Sequence, residues 1–241
     1  MHPERAVTIA SLNLHGCHDR AGKPFGLDQA CRALQADVVV LQETWRPEDG
    51  RGDPIGTTAA AFRYTAVQHA LLSGTSLHSL GIPGTSPHAT GALGLAVLTS
   101  LAVTSEATVD LGLAPGDMVR RAAQIVTVTV HSGDSLRIVN THLTHRAYAS
   151  PVQLRRLARS LSGGCRPTVI VGDLNMVWPM THAASGYRRA VRGSTWPAHR
   201  PFVQLDHVLI DGRLTCDSGD VLDPLGSDHL PIRVRVHVTP A

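Results

Sequence analysis

The sequence predicts an α/β fold built on mixed β-sheets, and three observations support this prediction. Short apolar runs of strand length alternate with helical patterns along the 241 residues. Strand patterns outnumber helical patterns. They occur both as hairpin-like pairs and as strand–helix–strand units, which favours mixed over purely parallel sheets. No repeat or domain-splitting linker interrupts them, so we expect a single domain over residues 1–241.

The strand predictions depend on apolar runs and on period-two alternation. The run DVVVLQ is typical of a strand buried on both faces, whereas Val126, Val128 and Val130 alternate with threonines as in a half-buried strand. The sequence HSGDS supplies a turn between that strand and the next one. The predicted strands cover residues 6–13, 37–42, 93–99, 124–130, 136–141, 168–172, 205–210 and 232–238.

Two segments carry helical patterns, residues 27–35 and a segment that begins at Ser150. For the second helix we predict Ser150 as the N-cap, Pro151 at the first helical position and Gln153 as the capping-box partner. The pair Gly163-Gly164 then ends the helix.

Two stretches resist assignment and, because of their length, suggest functional loops. Residues 69–91 are rich in Ser, Gly, Thr and Pro and contain no Arg or Lys, which favours a flexible lid or specificity loop. Residues 176–203 mix arginines with aromatic side chains that could stack bases or wall a small anionic pocket.

The bulk composition bounds location and partners. The net charge is only +3, which argues against a long duplex footprint, and Lys23 is the only lysine. Cys17, Cys31, Cys165 and Cys216 form no CxxC pair, so we expect reduced thiols. Residues 1–5 do not resemble a signal peptide, and no apolar run approaches the roughly 20 residues of a membrane span. We expect a cytoplasmic, monomeric protein.

Polar residues that could carry chemistry recur at the predicted strand ends. Such positions can share one edge of a sheet, where open α/β folds place their ligands. These residues are Asn13, Glu43, His142, Asp173, Asn175, Asp206, Asp228 and His229.

The segments around these residues, taken in order, resemble the motifs of the endonuclease/exonuclease/phosphatase superfamily. They are SLNLHG, LQET, NTHL, GDLN, LDHV and GSDHLPI, and they span residue 13 to about residue 231. The resemblance implies a four-layer α/β sandwich, in which two facing mixed sheets are flanked by helices. It also implies a metal-dependent phosphoester hydrolase of the DNase I-like kind.

The resemblance further implies the cofactor and the metal ligands. Mg²⁺ is the expected ion, and Mn²⁺ could substitute for it. Glu43 is the expected main ligand with Asn13 beside it, and Asp228 would either approach the metal or orient His229.

Roles in the attack of water on phosphorus follow from the same resemblance. Asp173 is expected to handle the proton and Asn175 to contact the phosphate. His142 and His229 would hydrogen-bond the phosphoryl oxygens, and Asp206 would orient a histidine, which we expect to be His142. Arg120 or Arg121 could contact phosphate or could form a structural ion pair.

The sequence leaves several alternatives open. The substrate could be nucleic acid, a lipid or a small phosphoester. His15 stands where several DNA-repair members carry an acid, which weakens the case for abasic-site repair. The spacings His15-x-x-His18 and His142-x-x-His145 leave room for a transition metal. The metal site could also serve non-phosphate chemistry on a small metabolite, or the protein could bind a ligand without hydrolysing it.

Overall fold

Two mixed six-stranded sheets form the centre of the protein. The computed structural model describes residues 6–50, 52–164 and 166–239. The N-terminal segment 1–5 and Cys165, on which sequence expectations were placed, lie outside the described residues. The strands are β1 (Ala6–Asn13), β2 (Val38–Pro47), β3 (Thr65–Ser76), β4 (Thr90–Thr99), β5 (Ala102–Gly112), β6 (Arg121–Thr129), β7 (Ser135–Thr141), β8 (Thr168–Asp173), β9 (Tyr187–Arg189), β10 (Asp206–Asp211), β11 (Leu214–Val221) and β12 (Ile232–Val238).

Strand pairing confirms the predicted mixed topology. The first sheet has the order β11-β12-β1-β2-β4-β3, and the second has the order β5-β6-β7-β8-β10-β9. The β1–β2 pair in the first sheet and the β7–β8 pair in the second are parallel. Their neighbours β12, β4, β6 and β10 pair antiparallel to them.

The main hydrophobic core lies between the two sheets. Alternate residues of the central strands point inward, as period-two side-chain geometry requires. The first sheet contributes side chains such as Ile9 and Val40, and the second contributes Ile138, Val169 and Val208. Burying such branched side chains contributes roughly 1.5–3 kcal/mol each, so this layer dominates the packing.

Helices cover the outer face of each sheet and complete the predicted four-layer sandwich. Helices α1 (Leu27–Leu34) and α2 (Pro54–Phe62) bury apolar side chains against the first sheet. Helix α3 (Ser150–Leu161) buries Leu154 and Leu157 against the second sheet. In the described part of the chain, no helix is long and apolar enough to cross a membrane.

The start of α3 differs from the predicted capping box. Ala149 is the N-cap, and its side chain makes no cap hydrogen bond. The backbone N–H groups of Ala149 and Ser150 both donate to the Arg146 carbonyl, so a preceding turn runs directly into the helix. The Ser150 hydroxyl is therefore buried inside the first turn, and Gln153 instead accepts a hydrogen bond from the Thr144 N–H.

The segment of residues 69–91 is not the flexible lid that its composition suggests. Its first part continues β3 to Ser76, and its last residues begin β4 at Thr90. Between them, Leu77 and Ile82 are buried against Trp45 and anchor the connection on the first sheet. The second unassigned stretch contains a 3₁₀ helix (Trp178–Ala183) and the short strand β9.

Candidate active site

One edge of the sandwich gathers the polar residues that the motifs carry. Asn13 and Asp173 end β1 and β8, and His142 directly follows β7. Asp206 begins β10, which runs antiparallel to β8, so it pairs in register with Asp173. Chain direction and sheet pairing thus bring ends from both sheets to the same place.

Local backbone distortions orient two of these side chains. The β2–β4 pairing shifts register between Leu41 and Thr44, and Glu43 lies within this bulge with φ of 48°. Asn175 also has positive φ, at 49°. A bulge re-aims a side chain at the cost of some backbone strain, and such features are common beside active sites. Glu43 consequently points into the cluster rather than along the sheet face.

Asn13 lies between two carboxylates at the centre of the cluster. Its Nδ2 donates to Glu43 Oε1 at 3.1 Å and to Asp173 Oδ2 at 3.1 Å. Its Oδ1 accepts the backbone N–H of His15 at 3.0 Å. Asn13 and Asp173 are buried, whereas the Glu43 side chain is 25% exposed. Glu43 is therefore the carboxylate of this trio that faces the open cleft.

His142 borders this centre on the side of the second sheet. Its Nε2 lies 3.0 Å from Asn175 Nδ2 and 3.4 Å from Asp173 Oδ2, and its Nδ1 lies 3.8 Å from Glu43 Oε1. Asn175 also donates to the Leu143 carbonyl, which fixes its amide. Burial, followed by the charges of Arg121 and His229, holds the pKa of His142 well below its usual value. His142 is therefore neutral at pH values near 7.

His229 forms the tightest charged pair of the site with Asp206. Its Nδ1 lies 2.9 Å from Asp206 Oδ2, and its Nε2 lies 3.8 Å from Asp173 Oδ2. The expected partner of Asp206 was His142, and that prediction is wrong. The register of the β8–β10 pair places Asp206 opposite Asp173. The segment before β12 brings His229 to the same side of the cluster.

The charges around His229 and Asp173 shift both pKa values strongly. Burial lowers the pKa of His229, but Asp206 and Asp173 outweigh burial and raise it to about 10. Burial also raises the pKa of Asp173 to about 7, with the nearby Asp206 and Glu43 acting in the same direction and His229 opposing them. The imidazolium form of His229 is thus favoured beside a carboxyl group that binds a proton readily.

Ser227 holds the segment before β12 against the end of β1. Its hydroxyl donates to the Asn13 carbonyl at 2.6 Å and accepts the His229 N–H at 3.2 Å. Sequence reasoning included Ser227 in the motif but gave it no role. A serine two residues before a histidine is common in turns, so only its partners show that it positions His229.

Asp228 lies at the rim and does not contact the His229 side chain. Its Oδ2 accepts from Trp196 Nε1 at 3.3 Å, and its Oδ1 lies 3.9 Å from His15 Nδ1. Asp206, and not Asp228, makes the hydrogen bond to the His229 ring. The orienting alternative for Asp228 is therefore wrong, and its role as a metal ligand stays a prediction. Trp196 packs edge-on against Phe202 and supports this rim.

The two candidate arginines are both engaged in ion pairs. Arg120 is exposed and donates to both carboxylate oxygens of Asp110, at 2.9 and 2.6 Å, so its guanidinium is directed at β5. Arg121 is buried with Asp117, with 3.3 Å between Nε and Oδ2, and contacts the His142 carbonyl. Arg121 lines the cleft beside Glu43, whereas Arg120 does not. Of the two alternatives for Arg120, its contacts therefore support the structural ion pair.

The donor set fits a hard divalent cation. Asp173, Asp206 and His229 bring ligand atoms within 4.8 Å of one another and form a possible metal site among the described residues. Asp206 Oδ1 is buried without a hydrogen-bond partner among the described residues. Burial, together with the nearby carboxylates of Asp206 and Glu43, raises the pKa of Asp173, so a cation here would stabilise the ionised carboxylates. Glu43 and Asn13 extend this group toward the cleft. Oxygen-rich sites of this kind suit Mg²⁺ or Mn²⁺ better than softer ions.

Neither histidine spacing forms a transition-metal site within the described ranges. His15 Nδ1 contacts the His18 carbonyl, and His18 Nδ1 contacts the Gly16 carbonyl, so both rings hydrogen-bond locally. His145 is exposed in the cleft wall, whereas His142 faces Asp173.

A buried polar network below the cluster was missed by sequence reasoning. Gln42 Nε2 donates to Asn140 Oδ1 at 2.9 Å and also contacts the Ser11 hydroxyl. The Asn140 amide in turn donates to the carbonyls of Leu41 and Ala96 and to Gln124 Oε1. These residues connect the two sheets directly beneath Glu43. These polar residues are visible in the sequence because they interrupt buried runs next to the motifs. The sequence does not show which of them hydrogen-bond to each other.

Comparison with solved structures shows that the same fold recurs in several proteins. An endonuclease/exonuclease/phosphatase from Beutenbergia cavernae is 22% identical, with 98% of this chain and 72% of that chain covered at a TM-score of 0.75. The human Nocturnin catalytic domain with bound sulfate is 20% identical, with 98% and 94% covered at 0.70. A mannosyl-6-phosphatase from Bacteroides thetaiotaomicron is 13% identical, with 95% and 99% covered at 0.70.

The comparison with curated proteins found no match. The family model for the Endonuclease/Exonuclease/phosphatase family, however, matches residues 10–229, which include every residue of the cluster. The chain therefore belongs to the endonuclease/exonuclease/phosphatase family, a family of metal-dependent phosphoester hydrolases.

Proposed function

We propose that the protein is a Mg²⁺-dependent hydrolase of small phosphoesters. One observation carries this proposal: the Asp173 carboxylate accepts a hydrogen bond from Asn13, which also donates to Glu43, and lies 3.4 and 3.8 Å from the Nε2 atoms of His142 and His229. A phosphoester resists attack because its anionic oxygens repel a nucleophile, so a catalyst must supply positive charge, a base and fixed geometry.

In this proposal Glu43 and Asn13 hold the metal, with Asp173 beside them. The ion, when bound, would neutralise phosphate charge and lower the pKa of a water molecule. Glu43 is suited to the main ligand role because it faces the cleft, and Mg²⁺ in proteins keeps positions for water and substrate. The Asn13 amide would present its oxygen once a cation replaces the N–H contacts to the two carboxylates.

Asp173 is the proposed acceptor of the proton from the attacking water. A base must lie within reach of the proton that it accepts, and Asp173 is the carboxylate that Asn13 and both histidines surround. As the water oxygen bonds to phosphorus, the bond to the leaving oxygen breaks. The proton of the water passes to the carboxylate.

The two histidines would stabilise the phosphoryl oxygens in different ways. His229, charged and held by Asp206, donates an N–H of an imidazolium, which is a strong charge-assisted donor. His142 is neutral and is oriented by Asn175, whose amide can also reach a phosphoryl oxygen without charge repulsion. This arrangement places one full positive charge in the buried site, on His229, while His142 stays neutral.

A small substrate is favoured over a long nucleic acid. The formal net charge of +3 includes arginines that are already paired with acids, such as Arg120 and Arg121. A duplex footprint needs several free cations along one face, since each phosphate contact adds to affinity. One of the structural neighbours is described as a mannosyl-6-phosphatase, and this name of a small-phosphoester enzyme supports the proposal.

Hydrolysis assays test the proposal directly. 4-Nitrophenyl phosphate, bis(4-nitrophenyl) phosphate and a single-stranded oligonucleotide should be compared with Mg²⁺ and with EDTA. We expect Mg²⁺-dependent release from at least one small ester, and a loss of at least about 100-fold in Glu43→Gln and His229→Ala. Glu106→Gln and His88→Ala replace exposed residues outside the cluster and should retain activity.

Two outcomes would contradict this function. Full activity in EDTA would exclude the metal-assisted route, and wild-type rates in both site variants would remove the cluster from the chemistry. If the oligonucleotide alone is cleaved, the small-ester assignment is wrong while phosphoester hydrolysis stands.

A further inference from the structure

A cavity of about 330 Å³ opens directly from the candidate active site. Glu43 and His142 line it, so a group in the cavity would lie directly beside the candidate active site. Its remaining walls come from the connection between β3 and β4, from residues 116–119 and from the segment after β7. A volume of this size suits a small organic group rather than a polymer.

One wall of the cavity is apolar and preformed. Leu80, Ile82 and Leu93 line it on the side of the first sheet, and Val119 lines it opposite. Ile82 is buried against Trp45 and Leu77, and its N–H donates to the Leu77 carbonyl at 3.0 Å. The wall therefore needs no large rearrangement to accept an apolar group, which would gain binding energy from the area that it buries.

The other wall carries Arg146, an arginine without a carboxylate partner among the described residues. Arg121 is already paired with Asp117, but Arg146 forms no ion pair with any described carboxylate. The Arg146 Nη2 donates to the Gly116 carbonyl, which holds the guanidinium across the cavity wall. Its Nε is shielded from solvent, so a ligand in the cavity would meet the terminal nitrogens of the guanidinium. A positioned cation without a carboxylate partner favours an anionic acceptor.

We infer that this cavity, which we call the Arg146 pocket, selects phosphoesters whose leaving group has a compact apolar or aromatic body and a second anionic group. The apolar body would lie on Leu80 and Ile82, and the anion would bind Arg146. This inference rests on the proposed function and adds the substrate class. Arg146 would be a specificity-determining residue that is remote from the reacting bond.

Binding of non-hydrolysable phosphonates tests the inference without requiring turnover. Calorimetry with Mg²⁺ present compares benzylphosphonate with 4-carboxybenzylphosphonate, which differ only in the second anion. We expect wild type to bind the carboxylated compound about tenfold more tightly, as one charge-assisted hydrogen bond allows. Arg146→Gln should reduce this preference to within about twofold.

Two further variants separate the pocket from general effects. Arg155→Gln removes an exposed arginine of α3 that does not line the cavity, and it should keep the tenfold preference. Leu80→Ala should weaken both phosphonates by about threefold and leave their ratio unchanged, because it trims the shared apolar contact.

The outcomes also distinguish this inference from the proposed function. Equal binding of the two phosphonates by wild type, no binding of either, or a preference retained in Arg146→Gln would overturn the Arg146 pocket. The hydrolysis of nitrophenyl esters is a separate measurement, so the enzyme can prove active while the pocket assignment fails.

Discussion

At the scale of single residues, Asp206 acts on the site through one contact. Its Oδ2 holds Nδ1 of His229 at 2.9 Å, and its charge favours the imidazolium. The other oxygen has no hydrogen-bond partner in the described structure. We propose that Asp206 orients this ring and keeps it protonated, as the carboxylate of a triad does.

Asp206→Asn tests this positioning role. The amide preserves shape but loses the charge that holds the proton on His229, so kcat should fall by roughly 10²–10⁴-fold with KM changed less than about threefold. Steady-state kinetics on the nitrophenyl esters measure both constants. Asp220→Asn replaces an exposed acid of β11 and serves as the matched control. A kcat within about threefold of wild type would remove Asp206 from the mechanism.

Cys31 gives a residue-scale prediction with a defined pH direction. It lies on the buried face of α1, and burial, with a smaller contribution from Asp28, raises the pKa of its thiol to about 12. The thiolate is the reactive form, so Cys31 should resist iodoacetamide at about pH 8 while the half-buried Cys216 is labelled before it. Peptide mapping by mass spectrometry assigns the label to each cysteine.

The same raised pKa of Cys31 links stability to alkaline pH. The folded state keeps a proton that the thiol of the unfolded chain loses above its ordinary pKa of 9.0. The free energy of unfolding should therefore fall as pH rises above that value, and less steeply in Cys31→Ala. Labelling of Cys31 at the same rate as Cys216 in the native protein would contradict its burial.

At the scale of elements, strand ends and bulges position the site. Gly172, the residue before Asp173 in β8, has φ of 139°. A Cβ there would lie 2.1 Å from the Thr141 carbonyl oxygen and 3.1 Å from Gln42 Nε2. β7 and β8 can therefore approach each other closely only because this residue is glycine, and Asp173 and His142 depend on that approach.

Gly172→Ala should lower the free energy of unfolding far more than a glycine-to-alanine change in an open turn. Gly133→Ala is the matched control, since Gly133 also has positive φ, at 86°, but nothing lies within 4 Å of its Cβ position. We expect Gly172→Ala to lower the free energy of unfolding by at least about 2 kcal/mol more than Gly133→Ala. Urea denaturation measures both. Equal losses would show that the close approach is unimportant.

The strands that could be predicted from sequence are those that lie inside the sheets. Central strands such as β2 and β8 carry continuous apolar runs because both of their faces are covered. All four edge strands were missed: β3, β5, β9 and β11. They are largely exposed, so neither face imposes an apolar pattern, and pairing with a neighbour determines their conformation.

At the scale of the whole molecule, the site is a product of the sandwich. Glu43 and Asn13 come from the first sheet, and His142, Asp173 and Asp206 come from the second. The motifs predicted most of the residues that the structure brings together. They could not predict that Asp206 serves His229 or that Arg120 is occupied by Asp110, because those pairings depend on sheet register and on an edge strand.

The network of Asn140 shows the same limit. Polar residues in buried strands are costly unless each group finds a partner, and here the partners come from strands of both sheets. The sequence shows which residues are polar. It does not show which strands of the two sheets face each other. The Arg146 pocket likewise combines three distant segments, so it becomes visible only in the assembled fold.

The central claim is that one divalent cation binds where Glu43 meets Asn13 and Asp173. Diffraction data collected at the manganese absorption edge, from crystals grown with Mn²⁺, locate such an ion without reference to activity. The account predicts one strong anomalous peak at about 2.0–2.3 Å from a Glu43 carboxylate oxygen, and no such peak in Glu43→Gln. A peak held by Asp206 and His229 away from Glu43, or one unchanged in the variant, would contradict it.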